Sequence, residues 1–150
     1  MSASPLFDKI NADIILAMKA KDEAGLSALR MLKNAIGYKK VELKRELTDD
    51  EVIDVLSKQA KQRKESIEGF EKGGRAESAA SEKAELALIQ KYLPAGLSEA
   101  ELAQLIEEAV KTSGAAGPKD MGKVMGLLTP KIKGRADMGK VSGLVKTKLS

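Results

Sequence analysis

A nine-residue segment is written twice near the end of the chain. Asp120-Met121-Gly122-Lys123-Val124-Met125-Gly126-Leu127-Leu128 returns seventeen residues later as Asp137-Met138-Gly139-Lys140-Val141-Ser142-Gly143-Leu144-Val145, identical at seven of the nine positions. Lys131-Ile132 and Lys148-Leu149 extend the match at the same offset. Met121, Val124, Leu128 and Ile132 recur at helical spacing and correspond one by one to Met138, Val141, Val145 and Leu149. Each copy therefore reads as a short amphipathic helix, with Asp120 and Asp137 placed to cap it. Helices of about a dozen residues are marginal alone in water, so the two should form a packed hairpin. Gly134 between them is suited to a left-handed terminator. Pro130 should kink or end the first copy, because it denies a donor to the carbonyl four residues back.

The rest of the chain is punctuated in the same helical idiom. Leu6, Ile10, Ile14, Ala17 and Met18 form a stripe behind Ser4-Pro5, an N-cap serine followed by a first-turn proline. A second helix spans about Glu23 to Leu43, with Leu26, Leu29, Leu32, Ile36 and Leu43 as its buried face. Lys39, Lys40, Lys44 and Arg45 lie at its end, where cations suit the helix dipole. Leu47-Thr48-Asp49-Asp50-Glu51-Val52 combines a capping box with a hydrophobic staple, and Leu97-Ser98-Glu99-Ala100-Glu101-Leu102 repeats the device. Val52, Leu56, Ala60, Arg63, Ile67 and Phe70 share one face of a helix that Gly73-Gly74 should end. A fourth helix, from about Ala76 to Tyr92, has an indistinct stripe of Ala80, Ala84, Ala87 and Leu88 with Leu86 and Ile89. The helix after Ser98 buries Leu102, Leu105, Ile106, Ala109 and Val110 and stops near Gly114. No stretch alternates with the period of a strand. The expected fold is all-α: a helical domain of about four helices over 1–94, then a three-helix domain over 95–150.

Composition closes off much chemistry. There is no Cys and no His, which removes thiolate nucleophiles, disulfides, the usual general base and the commonest metal ligands. No catalytic residue, metal or cofactor is expected. No apolar run reaches the roughly 20 residues of a membrane span, and Asp8 and Asp13 interrupt a signal- or transit-peptide reading of the start. A cytoplasmic location is the expectation. The aromatics are Phe7, Tyr38, Phe70 and Tyr92 alone, so the core must be aliphatic.

The net charge of +4 is unevenly held. From Ala115 onward, Lys119, Lys123, Lys131, Lys133, Arg135, Lys140, Lys146 and Lys148 face only Asp120 and Asp137, a local +6 beside a body of −2. A basic tail on a near-neutral body points to an anionic partner. Lys123 and Lys140 sit in first turns, where a cation meets the positive end of the dipole and loses a few tenths of a kcal/mol; a phosphate would reverse that sign. Gly122 with Gly126, and Gly139 with Gly143, each cost about 1 kcal/mol relative to alanine in an exposed helix interior. Close helix-to-helix packing is the first explanation, close approach of an RNA backbone the second.

These residues carry a family resemblance. Ala17-Met18-Lys19-Ala20-Lys21-Asp22, Leu29-Arg30-Met31-Leu32-Lys33, Lys61-Gln62-Arg63-Lys64-Glu65-Ser66, Glu85-Leu86 through Tyr92-Leu93-Pro94, and above all Asp120 to Gly126 resemble the YqeY-type proteins, related to the tail domain of the B subunit of the tRNA-dependent amidotransferase. The resemblance implies a helical N-terminal domain, a small three-helix domain, and a grip on tRNA. It implies no catalysis, because the amidotransferase chemistry belongs to a large domain with no counterpart here; a carbon–nitrogen ligase activity with glutamine as donor would be inherited in name only.

Three functions follow as expectations. The tail offers no aromatic platform for unpaired bases, so tRNA would be held by shape and phosphate contacts through Lys119, Lys123, Lys131, Lys133, Arg135 and Lys140. Alternatively, the tail docks as an adaptor on an amidotransferase, synthetase or other protein. An enzyme would need Asp49, Asp50, Glu51 and Asp54, or Glu82 and Glu85, as its carboxylates; capping explains the first group and a solvated helix face the second.

Overall fold

The computed structural model describes residues 3–150, and among them the chain is all-α. It forms α1 (Pro5–Lys19), α2 (Glu23–Leu43), α3 (Asp49–Lys72), α4 (Ala76–Gln90), α5 (Glu99–Ser113), α6 (Met121–Ile132) and α7 (Met138–Leu149), with one 3-10 turn at Pro118–Asp120. Most helix starts are set by short polar side chains; α4 and α6 have no side-chain cap. Ser4 Oγ accepts the Phe7 amide at 3.0 Å, Asp22 accepts Gly25 at 3.0 Å, and Ser98 accepts Glu101 at 3.1 Å. Asp49, the first residue of α3, also serves α1: its Oδ1 accepts the Ser4 hydroxyl at 2.5 Å and the Leu6 amide at 3.1 Å.

The capping box at Thr48 is complete. Thr48 Oγ1 accepts the Glu51 amide at 3.4 Å and Glu51 Oε1 accepts the Thr48 amide at 3.0 Å. Arg45 adds a two-pronged pair to the same carboxylate, both contacts at 2.7 Å. Arg45 first, with the Thr48 amide, holds the Glu51 carboxyl down at about 2 from an ordinary 4.5. A depressed carboxyl stabilises the fold above its unfolded value and ceases to do so as pH falls toward the folded one. Stability is therefore expected to drop between about pH 4.5 and pH 2, and Glu51→Gln should flatten that part of the curve when denaturation midpoints are measured across it.

The chain divides into two compact units, Met1–Leu93 and Pro94–Ser150. In the first, Ile10, Ile14, Leu29, Leu32, Ile36, Leu47, Val52, Leu56 and Ile89 make the core, with Tyr92 at its edge. The Tyr92 hydroxyl donates to Asp13 Oδ2 at 2.5 Å. Burial foremost, then the Asp13 carboxylate, pushes that phenol well above its ordinary value. Two stripes differ from the sequence reading. Met18 is 53% exposed and not part of the α1 face. In α4 the buried residues are Ala79 and Ile89, while Ala80, Ala84 and Ala87 are exposed. The reason is that α4 turns Glu82 and Glu85 inward to Arg63. That arginine, 9% exposed, lies 2.9 Å from Glu85 and 3.3 Å from Glu82 through Nε, and its Nη2 meets Met31 Sδ at 2.8 Å.

In the second unit, Leu102, Ile106 and Ala109 of α5 pack with Val124, Leu128 and Ile132 of α6 and Val141, Val145 and Leu149 of α7. The two repeat stripes thus meet in one core. Gly114 and Gly134 take φ of +69° and +75°, the left-handed geometry that lets the chain leave α5 and α6 without a Cβ clash. Contrary to expectation, α6 runs through Pro130 to Ile132. Pro130 stands in the last turn, and the carbonyl whose donor it removes belongs to exposed Gly126, where water can serve. Among the described residues no helix is long and apolar enough to cross a membrane.

Candidate nucleic-acid interface

The repeat places its chemistry twice on the solvent side of α6 and α7. Gly122, Lys123, Gly126 and Leu127 are exposed on one helix; Gly139, Lys140, Gly143 and Leu144 on the other. A Cβ built on Gly122, Gly126 or Gly143 would meet nothing within 4 Å, and one on Gly139 would touch only Asp137 Oδ1 of its own cap at 3.5 Å. This overturns helix-to-helix packing as the reason for the glycines: no neighbour within the chain needs their smallness. Their helices pay for bare backbone facing solvent. Gly126→Ala and Gly143→Ala should each raise the stability of the unit by about 1 kcal/mol, read from chemical denaturation; a loss would mean the glycines are packed after all. Leu127 and Leu144, 38% and 41% exposed, were not singled out by sequence. Their position on the glycine arc of the helical wheel was the available signal.

The cations of this unit are not equally available. Lys123 Nζ lies 3.6 Å from Asp120, and Lys140 Nζ lies 3.5 Å from Glu99 in the first turn of α5. Carboxylates thus already offset the unfavourable dipole at these lysines. Such exposed pairs are worth about 0–1 kcal/mol, so a phosphate can displace them. Asp137 caps α7 through the Gly139 amide at 3.1 Å. Asp120 does not cap α6, which corrects the expectation. It ends the 3-10 turn and turns its carboxylate back to the Ala116 amide at 3.0 Å. That hydrogen bond, before the Lys123 charge, lowers its pKa.

Arg135 is a strut. Its Nε donates to Ala95 O at 2.9 Å and its Nη1 to Lys131 O at 3.4 Å, while its own carbonyl accepts the Leu97 amide at 3.0 Å. It straps the segment before α5 to the turn between α6 and α7. Lys133 is half-buried; Lys119 and Lys131 are exposed. The repeat leaves Lys123 and Lys140 both exposed and each beside a carboxylate, one from its own segment and one from α5, and Arg135 stands apart from them in role.

Four of the carboxylates that an enzyme would need are engaged elsewhere. Asp49 and Glu51 cap helices, and Glu82 and Glu85 grip Arg63, a burial that the solvated-face reading missed. Among the described residues no group of three or more Asp or Glu is arranged to hold a metal ion.

These features define an all-helical protein of two units, the second built on a duplicated basic helix. The model of the Yqey-like protein family matches residues 7–149, and the chain belongs to that family. Relatives carry the name altered inheritance of mitochondria protein 41, mitochondrial. The one from Pyrenophora tritici-repentis is 30% identical over 131 residues, 85% of this chain and 71% of that protein. The one from Saccharomyces cerevisiae is 33% identical over 124 residues, 78% of this chain and 66% of that protein. The one from Eremothecium gossypii is 36% identical over 87 residues, 57% of this chain and 48% of that protein. The expected cytoplasmic location is overturned by these relatives, which are named as mitochondrial proteins. The features that suggested it belong to folded helices, and folded helices carry no address.

Proposed function

We propose that the protein binds structured RNA, tRNA first among candidates, through the solvent face of α6 and α7, and performs no chemistry of its own. The observation that carries this reading is the duplicated face itself: bare glycine backbone, displaceable lysine pairs and a local +6 charge in one segment. Glycines with open space above them let a sugar–phosphate chain approach the helix backbone, and lysines supply charge without reading sequence. The mitochondrial names of the relatives make organellar tRNA a probe to set beside bulk tRNA.

The test is tRNA binding across a salt series. If about four lysines meet phosphates, log K should fall with log salt at a slope of roughly −3 to −4. Lys119→Ala, Lys123→Ala, Lys131→Ala and Lys140→Ala together should abolish the slope while helicity is kept. Arg135 is left intact, because its loss would loosen the strap. Binding that ignores salt, or survives the fourfold change, would sink this reading.

Leu127 and Leu144 favour a second reading, in which the face docks on a protein such as an amidotransferase or synthetase. Leu127→Ser with Leu144→Ser would then release the partner from pull-downs and leave tRNA affinity untouched.

A further inference from the structure

Among the described residues, the exposed large hydrophobics are Ile15, Leu16 and Met18 on α1, Tyr38 and Val41 on α2, and Leu127 and Leu144 on the repeat helices. The α1 group is the densest: Ile15, Leu16 and Met18, within one turn, are 53%, 61% and 53% exposed. The face of α1 that enters the core is Ile10, Ile14 and Ala17. At 3.6 residues per turn, the opposite side is the row Asp8, Ala12, Ile15 and Lys19, which has the alternating four- and three-residue spacing of a seam between paired helices. All of the row is exposed, and Leu16 and Met18 stand on either side of it. The charges of α1 sort by face. Lys9 Nζ lies over the Tyr92 ring, 5.7 Å from its centroid, and Asp13 accepts the Tyr92 hydroxyl. Asp8 and Lys19, at the two ends of the row, have no ion-pair partner among the described residues. Each sign suits the dipole at its own helix end, but the dipole gives no reason for the bare Ile15 and Leu16 between them.

We infer that this face of α1 binds the same face of a second copy of the chain, antiparallel about a two-fold axis. An interface of that kind must be complementary to itself, and the row meets the condition. With the axis midway between Ala12 and Ile15, Asp8 of each copy faces Lys19 of the other, and Ala12 of each copy faces Ile15 of the other. Small then stands against large, so the two helices can approach closely, while Leu16 and Met18 cover the sides of the seam. A parallel pairing would set Asp8 against Asp8 and Lys19 against Lys19, so charge fixes the direction as well. A lipid surface is a poorer match, since helices that lie on membranes carry a lysine- and arginine-rich polar face, whereas Asp8, Lys9, Asp13 and Lys19 of α1 sum to zero. Asp8 likewise disfavours a nucleic acid. The charged ends of the row are about 16 Å apart along the helix, which makes a short interface, and the dimer should dissociate on dilution.

The test is sedimentation equilibrium of the full chain from about 1 μM to about 1 mM, with the helicity of every variant checked by circular dichroism. The unaltered chain should pass from monomer to dimer within that range. Asp8→Lys alone, or Lys19→Asp alone, should weaken the dimer roughly tenfold or more, because each sets like charges together at both ends of the seam. The two changes combined restore opposite charges and should recover the affinity. Ile15→Asp, at a position the monomer leaves exposed, should abolish the dimer and spare the fold. A chain that stays monomeric throughout the range overturns the inference. So does a dimer that ignores these changes, which would lie on another face, or one that the double exchange fails to rescue with helicity kept. A monomer that binds phosphatidylserine vesicles and is released from them by Ile15→Asp would give the face to lipid and overturn the inference too.

Discussion

Leu128→Ala is expected to unfold the second unit, whereas Leu127→Ala, one residue away, leaves it standing. Leu128 is fully buried where α5, α6 and α7 meet, and truncating such a leucine costs about 2–5 kcal/mol in lost transfer energy and cavity formation. The unit is the 57 residues from Pro94 to Ser150. Units of this size rarely hold more than about 3–5 kcal/mol in total, so the substitution removes most or all of it. Leu127 is 38% exposed, and surface substitutions of this kind stay within about 0.5 kcal/mol. Amide exchange over α5 to α7 separates the two outcomes: protection is lost in Leu128→Ala and kept in Leu127→Ala. The repeat supplies a second pair for the same comparison, Val145 against Leu144. Equal damage from both leucines would overturn the assignment of faces on which the proposed interface rests.

Arg63→Ala should be the most damaging single change in the first unit. The guanidinium is the counter-charge for Glu82 and Glu85, whose side chains are 24% and 29% exposed. Its removal leaves two carboxylates facing each other and Met31 without its neighbour. Breaking a buried pair from one side typically costs about 3–5 kcal/mol, because the surviving charge has lost its compensation. Replacing all three, with Arg63→Met, Glu82→Leu and Glu85→Leu, removes the charges together and should recover most of the loss. Chemical denaturation of the single and triple variants reads the difference. A triple variant as unstable as the single would mean that the shape of the arginine matters more than its charge.

Helix existence and order were legible because most starts carry a short polar residue and several ends a glycine or proline. α3, with its capping box and Gly73-Gly74 stop, could hardly be read otherwise. Faces were legible where large aliphatics mark them, as in α2 and the two repeat helices. They failed in α4, where alanine is spread around the helix and the inward positions include two glutamates. A hydrophobicity pattern cannot show that a carboxylate is buried when its partner, Arg63, lies on another helix. The duplicated glycines were legible as a feature and misread as to cause. Sequence shows a missing side chain but not what stands opposite it, and here nothing stands opposite. Arg135 was counted with the lysines because its charge is visible in sequence; its bond to Ala95 depends on how a loop returns. The exposure of Tyr38 was hidden for a like reason, since an aromatic residue in an amphipathic helix is more often buried than bare.

The shared use of Asp49 ties two distant chain segments into one cooperative event. The first turn of α1 has its Leu6 amide and its Ser4 hydroxyl bound to a residue 43 and 45 positions away, in the first turn of α3. The start of α1 therefore cannot fray as a free helix end does. It opens when α3 lets go of Asp49, so the two helix starts belong to one unit of local unfolding, with the intervening α2 spanned by their joint closure.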